Sequence, residues 1–182
     1  MRMSRYGVEK LAEWEGSIKR NGLHRPYDDA TGKEVSYGDS VEGYLTIGYG
    51  HLLDRSELRS EVVLVGGVEY NYWDGLTEEV ARELFDEDLD WAENAVNRHT
   101  RVQLNQNQFE SLVSFTFNVG GSAFRTSTLL KLLNKGQYNE VPGQLSRWIR
   151  SGGVIMQGLI NRRNHEIEHW NSNDSDGNAW RG

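Results

Sequence analysis

Residues 104–121 read LNQNQFESLVSFTFNVGG. Asn105 and Gln108 have the spacing of a capping box, in which each side chain satisfies the other residue's free backbone N–H, and Leu104 with Phe109 suits the accompanying apolar staple. From Leu112 to Val119 the segment is apolar on most faces of a helix, and Gly120 and Gly121 stop it. Such a helix belongs at the centre of a bundle, so the second half of the chain is expected to pack around it.

Its neighbours agree. STLLKLLNKG (127–136) is a short helix from a Ser/Thr cap to a terminal Gly, NEVPGQLSRWI (139–149) another with Pro142 in its first turn, and GLINRRNHEIEHW (158–170) the last. The tail from 171 to 182 is polar and predicted to fray. Towards the N-terminus, GLTEEVARELFDEDLDWAENAV gives a long helix near 77–95, with Thr77 as N-cap and acids in its first turn. Residues 4–20 read as a helix with Val8, Leu11 and Ile18 on one stripe. Between these helices, YLTIGYG (44–50) has the β-branched and aromatic content of short strands punctuated by Gly, which predicts a small irregular sheet within 21–56. Residues 57–75, including SEVVLVGGVEYNYW, fit either a strand pair or a loop. The fold class that follows is α+β and mainly helical.

A chain of 182 residues, 37% hydrophobic with two Pro, suits one globular domain. There is no Cys, hence no disulfide framework, thiol nucleophile or Cys-based metal site. The first residues lack an apolar run of signal-peptide length, and no run of about 18 apolar residues exists to span a membrane. The net charge of −7 is uneven: residues 1–90 hold 10 Lys+Arg against 20 Asp+Glu, residues 91–182 hold 10 against 7. A chain this acidic is not expected to bind nucleic acid, because phosphate contacts need a basic face.

Several residues break the patterns around them. Glu15 falls on the Val8, Leu11, Ile18 stripe, where an apolar residue is expected. Burial there would raise its carboxyl pKa towards the value a general acid needs, and a structural Glu paired with an Arg is the alternative. On the last helix Arg163 occupies the matching position among Ile160, Ile167 and Trp170, which makes it the expected partner of Glu15. Asp28, Asp29 and Asp39 lie in the Gly-rich segment, where any could be a second carboxylate and where Asp also serves turns. His165, Glu166 and His169 match H-E-x-x-H, but on the wheel both His point to solvent, so no metal or other cofactor is expected. Trp14, Tyr27, Tyr44, Tyr49, Trp73 and Trp148 exceed what one small core easily absorbs, and sugar rings stack on such faces.

Taken in order, E-G at 15–16, Y-D-D at 27–29, G-Y-L-T-I-G-Y-G-H at 43–51, L-N-Q-N-Q-F-x-x-L-V-S-F-x-F-N-V-G at 104–120, S-T-L-L-K-x-L-N at 127–134 and G-L-x-x-R-R at 158–163 resemble the phage-type lysozymes, from about residue 8 to residue 170. The resemblance implies a lysozyme-like fold: a small sheet-containing lobe (about 21–75), a connecting helix (about 77–95) and a larger helical lobe (about 96–170 with 4–20), with the glycan between the lobes. It implies a monomeric muramidase that hydrolyses the β-1,4 bond between N-acetylmuramic acid and N-acetylglucosamine in bacterial peptidoglycan with inversion. Glu15 would be the acid, and Asp29 and Thr46 would position and activate water. Asn118 and Trp148 would touch the substrate, His51 would pair with Asp88, and Arg163 would support the site. Asp39, in YGD at 37–39, is the rival of Asp29, because the spacing is longer here than in the family and an insertion covers 30–42. The missing signal and anchor segments imply an endolysin of the host cytoplasm that reaches the wall through a holin. A lytic transglycosylase and a virion-associated wall-binding protein are the alternatives.

Overall fold

The computed structural model describes residues 1–172, so most of the expected tail lies outside the described residues. The chain divides into two compact units, Val8–Asp88 and a second made of Met1–Gly7 with the segment from Leu89 onwards. The boundaries fall inside two helices, α1 (Arg5–Glu15) and α3 (Glu78–His99).

In the first unit, α1 ends at Glu15 because Gly16 takes φ +71°, a conformation cheap only for glycine. The predicted helix is therefore five residues too long. Ile18 lies outside it, in the turn leading to β1 (Lys19–Arg20), and its carbonyl accepts the Arg25 N–H. β1 and β2 (Leu23–His24) form a hairpin turned by Asn21 and Gly22, both at positive φ, which is the geometry that Asn-Gly favours. A four-stranded antiparallel sheet follows, ordered β4-β3-β5-β6: β3 Tyr27–Asp28, β4 Lys33–Glu34, β5 Leu45–Ile47, β6 His51–Leu52. Tyr27 pairs with Thr46, and Ile47 with His51. The ambiguous segment resolves into a short helix, α2 (Arg55–Ser60), and a hairpin of β7 (Val62–Val65) and β8 (Val68–Asn71). Val63 and Val65 point to the core and Leu64 to solvent, the period-2 alternation of a half-buried strand. Within this unit Leu84 and Phe85 on α3 add to the core.

In the second unit, α4 (Gln106–Val119) is buried from Phe109 through Thr116. The Asn105/Gln108 capping box is present, and Gly120, at φ +88°, is the C-cap. Around α4 lie α5 (Gly121–Thr126), α6 (Thr128–Leu133), capped by the Ser127 hydroxyl, α7 (Val141–Leu145) and α8 (Gln157–Asn171), with a small hairpin of β9 (Arg150–Ser151) and β10 (Val154–Ile155). The helix predicted over 139–149 is only a 3₁₀ turn followed by the five residues of α7, so Trp148 sits in the turn beyond it.

The buried face of α8 is Arg163, Glu166, His169 and Trp170; Ile160 and Ile167 are only half-buried. That face is turned by most of one residue step, about 100°, from the apolar stripe the sequence suggests. The cause is α4, which presents Glu110 and Ser114 to α8: His169 Nε2 lies 2.8 Å from Glu110 Oε2, and the Ser114 hydroxyl donates to Glu166 Oε1 at 2.7 Å. Satisfying buried polar groups outweighs burying two more isoleucines.

Candidate active site

Glu15 closes α1 as its last residue and is half-buried, not enclosed in the core as the wheel suggests, because the helix stops there and frees the side chain from the packed face. One sheet register ahead, the alternation of β3 sorts the two adjacent aspartates. Asp28 points to the interior, where its carboxylate accepts the N–H groups of Ala30 (2.9 Å), Glu42 (2.7 Å) and Gly43 (3.1 Å). These backbone donors, that of Glu42 foremost, hold its carboxyl below the ordinary carboxylate range. Asp28 is thus a pin for the long loop from 29 to 44. Asp29 is exposed, and its carboxylate accepts the Tyr44 N–H at 2.6 Å while its own N–H donates to the Tyr44 carbonyl at 3.1 Å. Asp39 only caps its own turn, accepting the Ser36 N–H at 2.9 Å.

Tyr27 links these groups. Its phenol is pushed up by burial first and then by the negative charges of Glu15 and Asp29, while the Gly50 backbone N–H opposes the shift. Both carboxylates therefore act on one phenol. Thr46, fully buried and directly across the sheet from Tyr27, places its hydroxyl on the same face and donates to the Tyr44 carbonyl at 3.2 Å.

The β5–β6 turn behind Thr46 is held through both ring nitrogens of His51. His51 Nδ1 lies 2.9 Å from Asp88 Oδ1, and its Nε2 lies 3.0 Å from Glu57 Oε1. Burial would lower the imidazole, but the carboxylates of Asp88 and Glu57 overcome it and raise the pKa to about 9. Glu57 was not anticipated, although D-x-x-E at 54–57 is readable as a capping box: it also accepts the Asp54 N–H at 2.8 Å while Asp54 caps α2. Tyr49, expected among the exposed aromatics, is buried, and its hydroxyl donates to Glu78 at 2.5 Å. Glu78 also receives Lys19 (2.7 Å), His24 (2.9 Å) and Arg82 (2.7 Å), which together outweigh burial and hold its carboxyl far below the ordinary range. No periodicity announces that cluster, since its members come from three elements and the β5–β6 turn.

In the second unit Arg163 is fully buried, and its carboxylate partner is Glu166 of its own helix, with Nε 2.9 Å from Oε2 and Nη2 3.0 Å from Oε1. The charge that seemed to require Glu15 is neutralised one turn away. Nη2 also donates to Asn118 Oδ1 at 2.8 Å, and the guanidinium stacks 5.0 Å from the Phe115 ring centroid. Asn118 is exposed at the end of α4. Trp148 is half-buried and stands edge-on to Phe115, with centroids 5.3 Å apart. His169, predicted to face solvent, is buried against Glu110, which lies at about 2 because His169, Gln106 and Ser4 offset its burial. With Glu166 taken by Arg163 and His169 by Glu110, the H-E-x-x-H residues serve separate partners. Among the described residues no group of three His, Asp or Glu side chains is placed to hold a metal ion.

Residues 29–166 match the phage lysozyme family, and the chain belongs to it. The match opens at Asp29, so Glu15 stands ahead of it. The chain is 37% identical over 132 residues to an endolysin of Bacillus phage PZA, covering 72% of this chain and 46% of that protein. It thus spans less than half the length of the Bacillus phage relatives it matches. To the endolysin of Salmonella phage P22 it is 35% identical over 137 residues, 74% of this chain and 85% of that one. Among solved structures, a variant of P22 lysozyme superposes with a TM-score of 0.71 at 32% identity, covering 94% of this chain and 99% of the other. The muramidase domain of SpmX from Asticaccaulis excentricus gives 0.69 at 27%, with the same coverage. The fold is therefore the lysozyme fold, α+β and mainly helical.

Proposed function

We propose that this chain is a single lysozyme domain that cuts bacterial peptidoglycan, hydrolysing the β-1,4 bond between N-acetylmuramic acid and N-acetylglucosamine with inversion. The observation that carries the reading is that Asp29 is exposed next to the strand on which Tyr27 pairs with Thr46, and that the charges of both Glu15 and Asp29 raise the Tyr27 phenol. A half-buried carboxyl can protonate the leaving oxygen, and an exposed carboxylate with a neighbouring hydroxyl can hold and deprotonate water, the division of labour that inverting hydrolysis requires. Of the three candidate aspartates only Asp29 is both exposed and within reach of Tyr27's charge environment; Asp28 spends its oxygens on the backbone and Asp39 on a turn.

His51 with Asp88 steadies the turn behind Thr46. On the second unit, Asn118 has its side-chain oxygen taken by Arg163, which leaves its NH₂ to donate to an acceptor such as an acetamide carbonyl, and Trp148 offers a ring face to a sugar. That similar proteins include an endolysin and a muramidase domain supports this chemistry. The reading carries with it a monomer made in the host cytoplasm and released through a holin lesion. The test is loss of turbidity by outer-membrane-permeabilised bacteria, followed by mass spectrometry of the digest. Reducing muramic ends are expected. Anhydromuramic ends would mean a lytic transglycosylase, and no loss of turbidity would remove the enzymatic reading.

A further inference from the structure

On the second unit, away from Asn118 and Trp148 in sequence, lies a pocket of about 420 Å³ whose walls carry His99, Arg101, Arg125, Lys131 and Lys135. They come from the end of α3, the loop after it, α5, α6 and the turn beyond α6. Among the described residues none of the five has a carboxylate partner. In a chain with 27 Asp+Glu against 20 Lys+Arg, so many unneutralised cations around one concavity call for an anion. Asn134 fixes the walls: its Oδ1 accepts the Arg101 N–H at 2.7 Å, and its Nδ2 donates to the His99 carbonyl at 2.9 Å. The apolar lining residue, Leu130, is itself buried, so the pocket offers no side chain to insert into lipid.

We propose that this pocket binds a phosphate group borne by a phosphodiester-linked polymer of the cell envelope. Guanidinium forks match phosphate oxygens in pairs, and lysines add charge without demanding geometry, so two arginines and two lysines lining one pocket suit a tetrahedral dianion or a diester. The volume is large enough for a phosphorylated polyol or sugar unit as well as for a single phosphate. A concave pocket whose apolar lining residue is buried favours such a unit over a bilayer surface, which needs exposed apolar side chains to enter it. A polymer with repeating phosphates would hold the enzyme on an anionic wall that otherwise repels its acidic first half. The phosphate chemistry stands by itself; its source rests on the reading of the chain as a wall-degrading enzyme.

The experiment is a titration of the ¹⁵N-labelled full chain, followed by amide shifts, with inorganic phosphate, with a synthetic glycerol-phosphodiester oligomer and with phosphatidylglycerol vesicles. Hydrolysis of phosphate-free peptidoglycan fragments is measured in parallel. Shifts should cluster at residues 99–101 and 125–135, and the oligomer should bind about a hundredfold or more tighter than inorganic phosphate. Lys131→Gln should weaken the oligomer about tenfold, the loss of one charge-assisted contact, and Arg125→Glu with Lys131→Glu should abolish it while hydrolysis of the fragments is unchanged. Absent or scattered shifts, or full binding by the double variant, would overturn the site. An oligomer no tighter than phosphate, or preference for the vesicles, would overturn the polymer.

Discussion

Asp28 and Asp29 are adjacent and chemically identical, yet one strand step puts the first among backbone N–H groups and the second at the surface beside Tyr27. Asp29→Asn should therefore lower kcat roughly 10²-fold or more, as loss of a general base does, with little change in melting temperature. Asp28→Asn should do the reverse, because it weakens the loop pin and touches no substrate; comparing kcat and Tm for the pair checks this. Gly43 adds a second test. A Cβ there would overlap the Asp29 carboxylate and stand 2.9 Å from the Ala30 nitrogen, while the Gly43 backbone is not strained. Gly43→Ala should thus lose activity nearly as Asp29→Asn does although it removes no catalytic group, and an active Gly43→Ala enzyme would argue against Asp29 as the second carboxylate. For Arg163, removing one member of a buried ion pair leaves the Glu166 carboxyl buried with only the Ser114 hydroxyl and the longer Arg162 contact at 3.4 Å. Arg163→Leu should cost about 3–5 kcal/mol in denaturant unfolding, and Arg163→Met with Glu166→Leu distinctly less. The sequence marked Arg163 as misplaced but not its partner: an apolar stripe shows that a charge is out of place, whereas the partner is chosen by how α4 presents Ser114 and Glu110. Asp29 had only the resemblance to single it out, because the strand alternation that separates it from Asp28 is two residues long in β3.

Among the elements, α4 was readable to its caps, since capping box, apolar run and stop glycines are all local signals. α7 was not: Pro142 starts a helix, but nothing in SRWI marks its stop at Leu145. α1 was overextended for the opposite reason, as Ile18 continued the period beyond a glycine whose positive φ ends the helix. The β5–β6 turn yields a pH test. His51 rises from 6.5 to about 9 on folding. The folded state then holds the proton more tightly, so the stabilisation is complete below about pH 6.5 and is lost as pH rises through 9. It amounts to on the order of 3 kcal/mol at most. Thermal unfolding of the wild type should fall between neutral pH and pH 9 more steeply than that of His51→Gln. Parallel curves would remove the imidazolium clamp. Glu110 works in the other window: with a folded value of about 2, its contribution is complete above its ordinary range and is lost as pH falls through 2.

Across the whole molecule, charge is segregated. Residues 1–90 carry twice as many acids as bases, and residues 91–182 carry an excess of bases. Glu15 and Asp29, the carboxylates proposed as catalytic, thus lie in a negative segment, while Arg101, Arg125, Lys131 and Lys135, without a carboxylate partner among the described residues, line one pocket in the other. An anionic polymer would be repelled by one and attracted by the other, so net charge alone is a poor guide to what this chain binds. Fold class was available from periodicity and caps, and the family from short motifs in a fixed order. The position of each acid in a buried network was not, because such networks join residues distant in sequence. The account as a whole rests on Glu15 as the acid of an inverting hydrolysis. It is tested most directly by ¹H NMR of the first product formed from a soluble peptidoglycan fragment, comparing the wild type with Glu15→Gln. The wild type should release the reducing α-anomer of N-acetylmuramic acid first, and Glu15→Gln should be slower by roughly 10²–10⁴-fold. Initial release of the β-anomer, of an anhydro sugar, or of product at an unchanged rate by Glu15→Gln would contradict it.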